Sequence, residues 1–277
     1  MSSFSPSPEL LVESAILPDL GNRFLRTMRR CLAPAGRFFF SARNILFPLI
    51  FIVLLLSTRP EFPFGSELND WWLDLCGIIV ALSGQACRAL AIGQAENIRR
   101  GGREKRVAAK SLIHHGIYAH TRNPLYLGNL LIVGGLGLIA NNFWWYLVAL
   151  PVFIGVYWSI VFAEEEFLVR QFGQEYVLYY QSVNRFLPSL AGFRSSFRQS
   201  TFDWRRVFRK EYSIACSWVS MAITLLIWER WERFGYAVKK VEIQNLFFFL
   251  LGVAIVYVSI VGWRIRSKAL ARRTSLV

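Results

Sequence analysis

The chain has 277 residues, 54% of them hydrophobic, with 23 Phe and 10 Trp, and a mean hydropathy of +0.36; a soluble domain sits nearer about 45–50% apolar. Its formal charge of +14 suits either nucleic acid or an anionic membrane surface. The basic residues fall between apolar stretches rather than on one polar domain, which excludes a nucleic-acid-binding module and predicts an all-α, polytopic membrane helix bundle.

Residues 1–43 form a basic N-terminal segment with Arg23, Arg26, Arg29, Arg30, Arg37 and Arg43. The polar start, Ser2 to Pro8, lacks the basic-then-apolar layout of a cleavable signal, so the first apolar run is expected to stay as an anchor. A membrane helix needs about 20 apolar residues, and six stretches come near that: Ile45–Ser57 with Phe38–Phe40 ahead of it, Trp71–Ile92, Tyr126–Ala140, Phe143–Ala163, Ile214–Trp228 and Leu246–Trp263. The third is short and Gly-rich, and Asn141-Asn142 offers a tight turn into the fourth, so these two read as a helical hairpin. Residues 44–190 then form a membrane core, 191–212 a linker and 213–277 an added two-span pair with a basic tail.

Lys and Arg concentrate before span one, between spans two and three, after span four and in the tail, while the loop after span one carries Glu61, Glu67 and Asp70. This alternation puts both termini in the cytoplasm, in an inner membrane or endomembrane. The segments 94–125 and 164–212 share that side, and they hold all three histidines and the run Glu164, Glu165, Glu166.

Four cysteines, Cys31, Cys76, Cys87 and Cys216, form no CxxC pair and suggest neither disulfides nor zinc. His114, His115 and His120 lack carboxylate or thiolate partners at helical spacing, and no metal site is expected from them. Arg88, inside the second apolar stretch, is an intramembrane charge and a functional candidate. Pro124 favours the first turn of a helix, with Asn123 near its cap; the free N–H groups of such a terminus suit an anion. Three acids at a membrane exit are costly unless solvated, paired or engaged with a ligand. Tyr176, Tyr179, Tyr180 and Phe186 are spaced as an interface-lying amphipathic helix.

The pieces stand in a telling order: Gly116-Ile117-Tyr118, Arg122-Asn123-Pro124-Leu125-Tyr126-Leu127-Gly128, Glu164-Glu165, Phe172-Gly173-Gln174-Glu175-Tyr176-Val177-Leu178-Tyr179, and Arg185-Phe186-Leu187-Pro188. Over about residues 75–190 the chain resembles the integral-membrane methyltransferase family of isoprenylcysteine carboxyl methyltransferases and phospholipid N-methyltransferases. The resemblance implies S-adenosylmethionine as cofactor, held at the cytoplasmic end of the hairpin by Lys110, Ser111, Leu112, Ile113, Tyr118, Arg122, Asn123, Pro124, Leu125, Tyr126, Glu164 and Glu165. It implies methyl transfer to a lipid-like or isoprenoid acceptor entering from the bilayer, with no nucleic-acid partner.

Two departures mark this chain. Asn123 replaces the family's usual His with an amide that cannot become cationic. Ile160 stands where the isoprenylcysteine enzymes carry a carboxylate-binding Arg, which argues against a prenylated carboxylate acceptor. The sequence offers no general base. A sterol-reductase-like, NADPH-dependent reductase and a non-catalytic protein on the same scaffold are the alternative readings.

Overall fold

The computed structural model describes residues 23–57, 59–60, 66–95, 98–100, 107–109, 112–198 and 201–274. Helix α1 (Arg23–Ser57) takes in both the basic segment from Arg23 onward and the first apolar stretch. Helix α2 (Glu67–Gln94) starts where the Ser66 hydroxyl accepts from the Asn69 N–H, and acids in its first turn complement the helix dipole. A short antiparallel hairpin follows, β1 (Ile98–Arg100) on β2 (Val107–Ala109), with Ile98 opposite Ala109; it is a small addition to the expected all-α fold.

A 3₁₀ turn at Gly116–Ala119 leads to α3 (Pro124–Ala140), which opens on Pro124 at its first position. Asn141 ends it in the left-handed region at φ 39°, the turn expected between the third and fourth stretches. A π-turn at Trp145–Ala149 runs into α4 (Leu150–Phe172), and Gly173 at φ 55° turns the chain into α5 (Gln174–Ser182). The short α6 (Phe193–Arg198) precedes α7 (Trp204–Phe234) and α8 (Lys240–Thr274). Asp203 caps α7, so that helix already covers residues expected as a linker.

Among the described residues four helices are long and apolar enough to cross a membrane: Glu67–Gln94, Trp145–Phe172, Trp204–Phe234 and Lys240–Ser267. The third expected stretch is the shorter, 17-residue α3. The protein is an integral membrane helix bundle, and its outer face carries exposed Leu82, Leu147, Phe248 and Val258.

The bundle is assembled from two close pairs. A Cβ on Gly84 would lie 2.5 Å from the Gly128 carbonyl oxygen, and one on Gly77 would lie 2.6 Å from that of Gly135. Small residues thus let the α2 and α3 backbones touch, the packing that drives association where lipid leaves no hydrophobic gain. Helix α1 meets α4 the same way at Gly36, where a Cβ would collide with the Ser159 carbonyl. Edge-on rings extend that seam: Phe47 lies 5.0 Å from Phe153 and Phe51 lies 6.3 Å from Trp145. Both pairs share one core with Leu136, Ile139, Tyr157 and Ile160 at its centre, and Trp218 and Leu225 of α7 close it.

Candidate functional site

The loop between the β-hairpin and α3 is held at both ends. Gln94, at the last turn of α2, is buried and accepts the Ile117 N–H at 2.8 Å. Gly116 has φ 61°, and a side chain there would collide with the Gln94 amide, so the position requires glycine. Beyond it, residues 120–123 lie along the segment after α5. The Arg122 N–H donates to Asn184 O at 2.9 Å and the Ser189 N–H to His120 O at 3.0 Å. The Thr121 hydroxyl reaches Phe186 O at 3.0 Å, and the Asn123 amide reaches Arg185 O at 3.1 Å. The motif pieces around Arg122 and Arg185, distant in sequence, form one strip across the start of α3.

Glu165 fastens that strip to α4. Its carboxylate is 1% exposed. It accepts from Arg185 Nε at 3.1 Å and Nη2 at 3.2 Å, and Arg122 Nη2 stands 3.3 Å away. The same Arg185 Nη2 donates to the Tyr180 hydroxyl at 2.9 Å. The Arg122 guanidinium stacks 3.8 Å over the Tyr180 ring and donates to the Tyr180 carbonyl. A buried carboxylate met by two guanidinium forks is a satisfied ion-pair network, and removing one member would strand the others. One donor remains: Arg122 Nε is buried and makes no hydrogen bond.

Glu164, the neighbouring acid, faces differently. It is half-buried, and its Oε1 accepts from the Tyr126 hydroxyl at 2.6 Å, joining the first turns of α3 to α4. Tyr118 lies in the field of the same carboxylate: burial first, then the Glu164 charge, push its phenol above the usual range, so it stays protonated. Its backbone carbonyl accepts the Tyr179 hydroxyl at 2.7 Å. Tyr118, Tyr126 and Glu164 thus converge beside the N-terminus of α3, whose partial positive charge suits an anion even though the Tyr126 and Leu127 N–H groups are bonded to Asn123 O. Together they can bind a cation or hydroxyls through Glu164 and an anion through the helix terminus and Arg122. Glu166, third in the run, is surface-placed and pairs with Arg170 one turn on.

Of the residues expected to hold a cofactor, Tyr118, Arg122, Asn123, Pro124, Leu125, Tyr126, Glu164 and Glu165 come together here. Leu112 packs on the adjacent cluster of Val169, Tyr176 and Tyr180, Ile113 is half-buried next to it, and Lys110 and Ser111 lie outside the described residues. Asn123 and Glu165 are occupied in holding the strip in place. Arg88 faces a partner that sequence reading did not assign. Its Nε and Nη2 each reach the Glu211 carboxylate at 2.8 Å, and its Nη1 reaches Asn129 Oδ1 at 2.6 Å. Gln85 bridges the same carboxylate to the Trp218 indole N–H, so this network docks α7 onto α2 and α3. Arg185, Tyr180 and Gln94 were also unassigned to the site: Arg185 showed only as part of the closing Arg-Phe-x-Pro segment, Tyr180 only as part of an amphipathic helix, and Gln94 gave no signal. The histidines do not converge: His120 is buried with its Nδ1 on Ser189 O at 2.6 Å, while His114 and His115 are exposed.

A phospholipid methyltransferase family model matches residues 75–175. The chain is similar to the protein-S-isoprenylcysteine O-methyltransferase of Tribolium castaneum, 28% identical over 138 residues, 48% of this chain and 47% of that protein. It is similar to the probable protein-S-isoprenylcysteine O-methyltransferase of Oryza sativa subsp. indica, 32% identical over 138 residues, 48% of this chain and 71% of that protein. The matched stretch therefore spans about half the length of the beetle protein. No solved structure matches the chain.

Proposed function

Because the chain belongs to the integral-membrane methyltransferase family that contains isoprenylcysteine and phospholipid methyltransferases, we propose that it is an enzyme that methylates a lipid-like acceptor from S-adenosylmethionine. The observation that carries this reading is the Glu164–Tyr126–Tyr118 group at the opening of α3, between Gly-x-Tyr, Pro-x-Tyr and the acidic pair.

The residues fit that cofactor. It carries an ammonium and ribose hydroxyls for the half-buried Glu164, and a carboxylate for the α3 terminus and the buried, unbonded Nε of Arg122. When bound it supplies an activated methyl group on a sulfonium that leaves readily. The protein then has to align acceptor and donor and exclude water. Tyr126 orients Glu164 through its hydroxyl. Glu165 holds Arg122 and Arg185 so that the strip from His120 to Asn123 keeps its distance from α4. Asn123 does this with an amide hydrogen bond to the chain after α5, a role that needs no cationic ring.

The acceptor enters from the bilayer between helices, and its headgroup meets the cofactor at the end of the bundle held by the strip. We place this end, and both termini, in the cytoplasm, on the Lys/Arg asymmetry of the loops. Ile160 is fully buried in the apolar core and offers an acceptor no charge. Arg185 lies over Phe162 and Trp158, on another face of α4 from Ile160, and is engaged by Glu165; Arg88 is engaged by Glu211. A desolvated acceptor carboxylate would go unpaired there, so the acceptor group is an amine rather than a prenylcysteine carboxylate; the amine gives its proton to solvent before its nitrogen lone pair takes the methyl group. Transfer of radiolabelled methyl from S-adenosylmethionine by the detergent-purified full chain tests this. The reading expects label in phosphatidylethanolamine or extracted host lipids; efficient labelling of a prenylcysteine analogue with none in the lipids contradicts the acceptor assignment.

A further inference from the structure

At the far end of α2 and α7 from the Arg88–Glu211 pair lies a second charged cluster. Asp70 and Asp74 sit in the first turns of α2, and Glu229, Arg230 and Arg233 in the last turns of α7. Asp74 and Arg88 are separated by about 21 Å along the axis of α2 at the rise of an α-helix, so this cluster is remote from the candidate site. Asp70, Asp74 and Glu229 are 5%, 6% and 4% exposed. One oxygen from each lies within 4.8 Å of the others.

Three observations separate this cluster from a satisfied salt-bridge network. The pairing is loose: Arg233 Nη1 lies 3.3 Å from Glu229 and 3.8 Å from Asp70, and Arg230 lies 3.5 Å from Glu229 and 3.8 Å from Asp74. The cytoplasmic-end pair Arg88–Glu211 closes to 2.8 Å. Next, Asp74 Oδ1 and Glu229 Oε2 are buried without a hydrogen bond. Such orphans are rare and costly in a native interior. Finally, the charge does not balance. Three buried carboxylates, Asp70, Asp74 and Glu229, face two arginines, Arg230 and Arg233, while Lys239 is shared by the exposed Glu67 and Glu242. The helix dipole accounts for acids in the first turn of α2, Glu67 and Asp70, but not for Asp74 one turn deeper.

We propose that Asp70, Asp74 and Glu229 bind one hard divalent cation of the Ca²⁺, Mg²⁺ or Mn²⁺ class, which pins the added helix α7 to α2 of the methyltransferase core. Carboxylate oxygens are the ligands these ions take, and oxygens sharing a Ca²⁺ at 2.3–2.6 Å stand no more than about 5 Å apart. The cation offsets the excess of buried negative charge. Asp70 brings α3 into the same site, because the Asn141 amide at the α3 C-terminus donates to Asp70 Oδ1 at 3.1 Å.

The test is thermal unfolding of the detergent-purified full chain with EDTA and with each cation in turn, alongside its metal content after purification without chelator. A cation at about a hundredfold over its dissociation constant is expected to raise Tm by roughly 5–10 °C. The isosteric change Asp74→Asn is expected to abolish that shift while leaving the protein as stable in EDTA as the unaltered chain, or more so. An unaltered chain that carries no metal and gives the same Tm with every cation and with EDTA overturns the proposal. So does an equal shift in Asp74→Asn, or a cluster that responds only to acid, which would mark a shared proton instead.

Discussion

The hydroxyl of Tyr126 donates to Glu164 across 2.6 Å, from the first turns of α3 to α4. That bond gives Glu164 a tyrosine partner where its neighbours Glu165 and Glu166 meet arginines. It follows that the three glutamates, alike in sequence, should respond differently to neutralisation.

Glu164→Gln and Tyr126→Phe are each expected to weaken S-adenosylmethionine binding about tenfold or more, since a hydrogen bond to a charged group contributes about 1.5–3 kcal/mol. Glu164→Gln keeps an acceptor for the Tyr126 hydroxyl and should leave Tm close to that of the unaltered chain, whereas Tyr126→Phe keeps the packing on Tyr157 but loses the bond and should melt a few degrees lower. Equilibrium dialysis with labelled cofactor, read beside a melting curve, checks the pair.

Glu165→Gln should do the reverse. It leaves the Arg122 and Arg185 guanidiniums buried without their carboxylate, and breaking such a pair costs about 3–5 kcal/mol. The melting curve should drop by several degrees, whereas Glu166→Gln, which loses a surface pair, should cost under about 1 kcal/mol.

The Arg88–Glu211 pair can be read by a double-mutant cycle in thermal unfolding. Arg88→Met and Glu211→Leu alone each strand a buried charge; the double change should cost less than either single one. Additive losses would mean that the two groups act independently, against the geometry in which each nitrogen–oxygen contact is 2.8 Å.

Gly84→Ala and Gly128→Ala should each destabilise by about 1–3 kcal/mol, by forcing the touching backbones of α2 and α3 apart. Gly134→Ala on the same helix meets nothing within 4 Å and should be neutral or slightly stabilising. Melting curves of the three variants under one detergent condition decide it.

The membrane helices were legible because hydropathy and Pro, Gly and Asn punctuation are local signals. Pro124 opened α3 and Asn141 closed it where the residues themselves demanded. The site was legible only as pieces. The bonds that join them link residues far apart in the sequence: Arg122 to Tyr180, Asn123 to Arg185, Arg88 to Glu211. A charge in the sequence does not disclose which distant helix will answer it, so Glu165 and Glu164 looked equivalent and Glu211 lay in a segment expected as a linker. The first turns of α7, Trp204 to Lys210, are so basic that the buried face formed by Val207 and Glu211 gave no apolar periodicity to detect. The π-turn ahead of α4 likewise has no signature in its residues.

Binding of S-adenosylmethionine to the detergent-purified full chain, by isothermal titration with S-adenosylhomocysteine and NADPH as comparators, tests the central claim most directly. Saturable binding of S-adenosylmethionine is expected, displaced by S-adenosylhomocysteine, unaffected by NADPH and weakened about tenfold or more by Glu164→Gln. Saturable binding of NADPH with none of S-adenosylmethionine, or no binding of either by a chain that melts cooperatively, would contradict it.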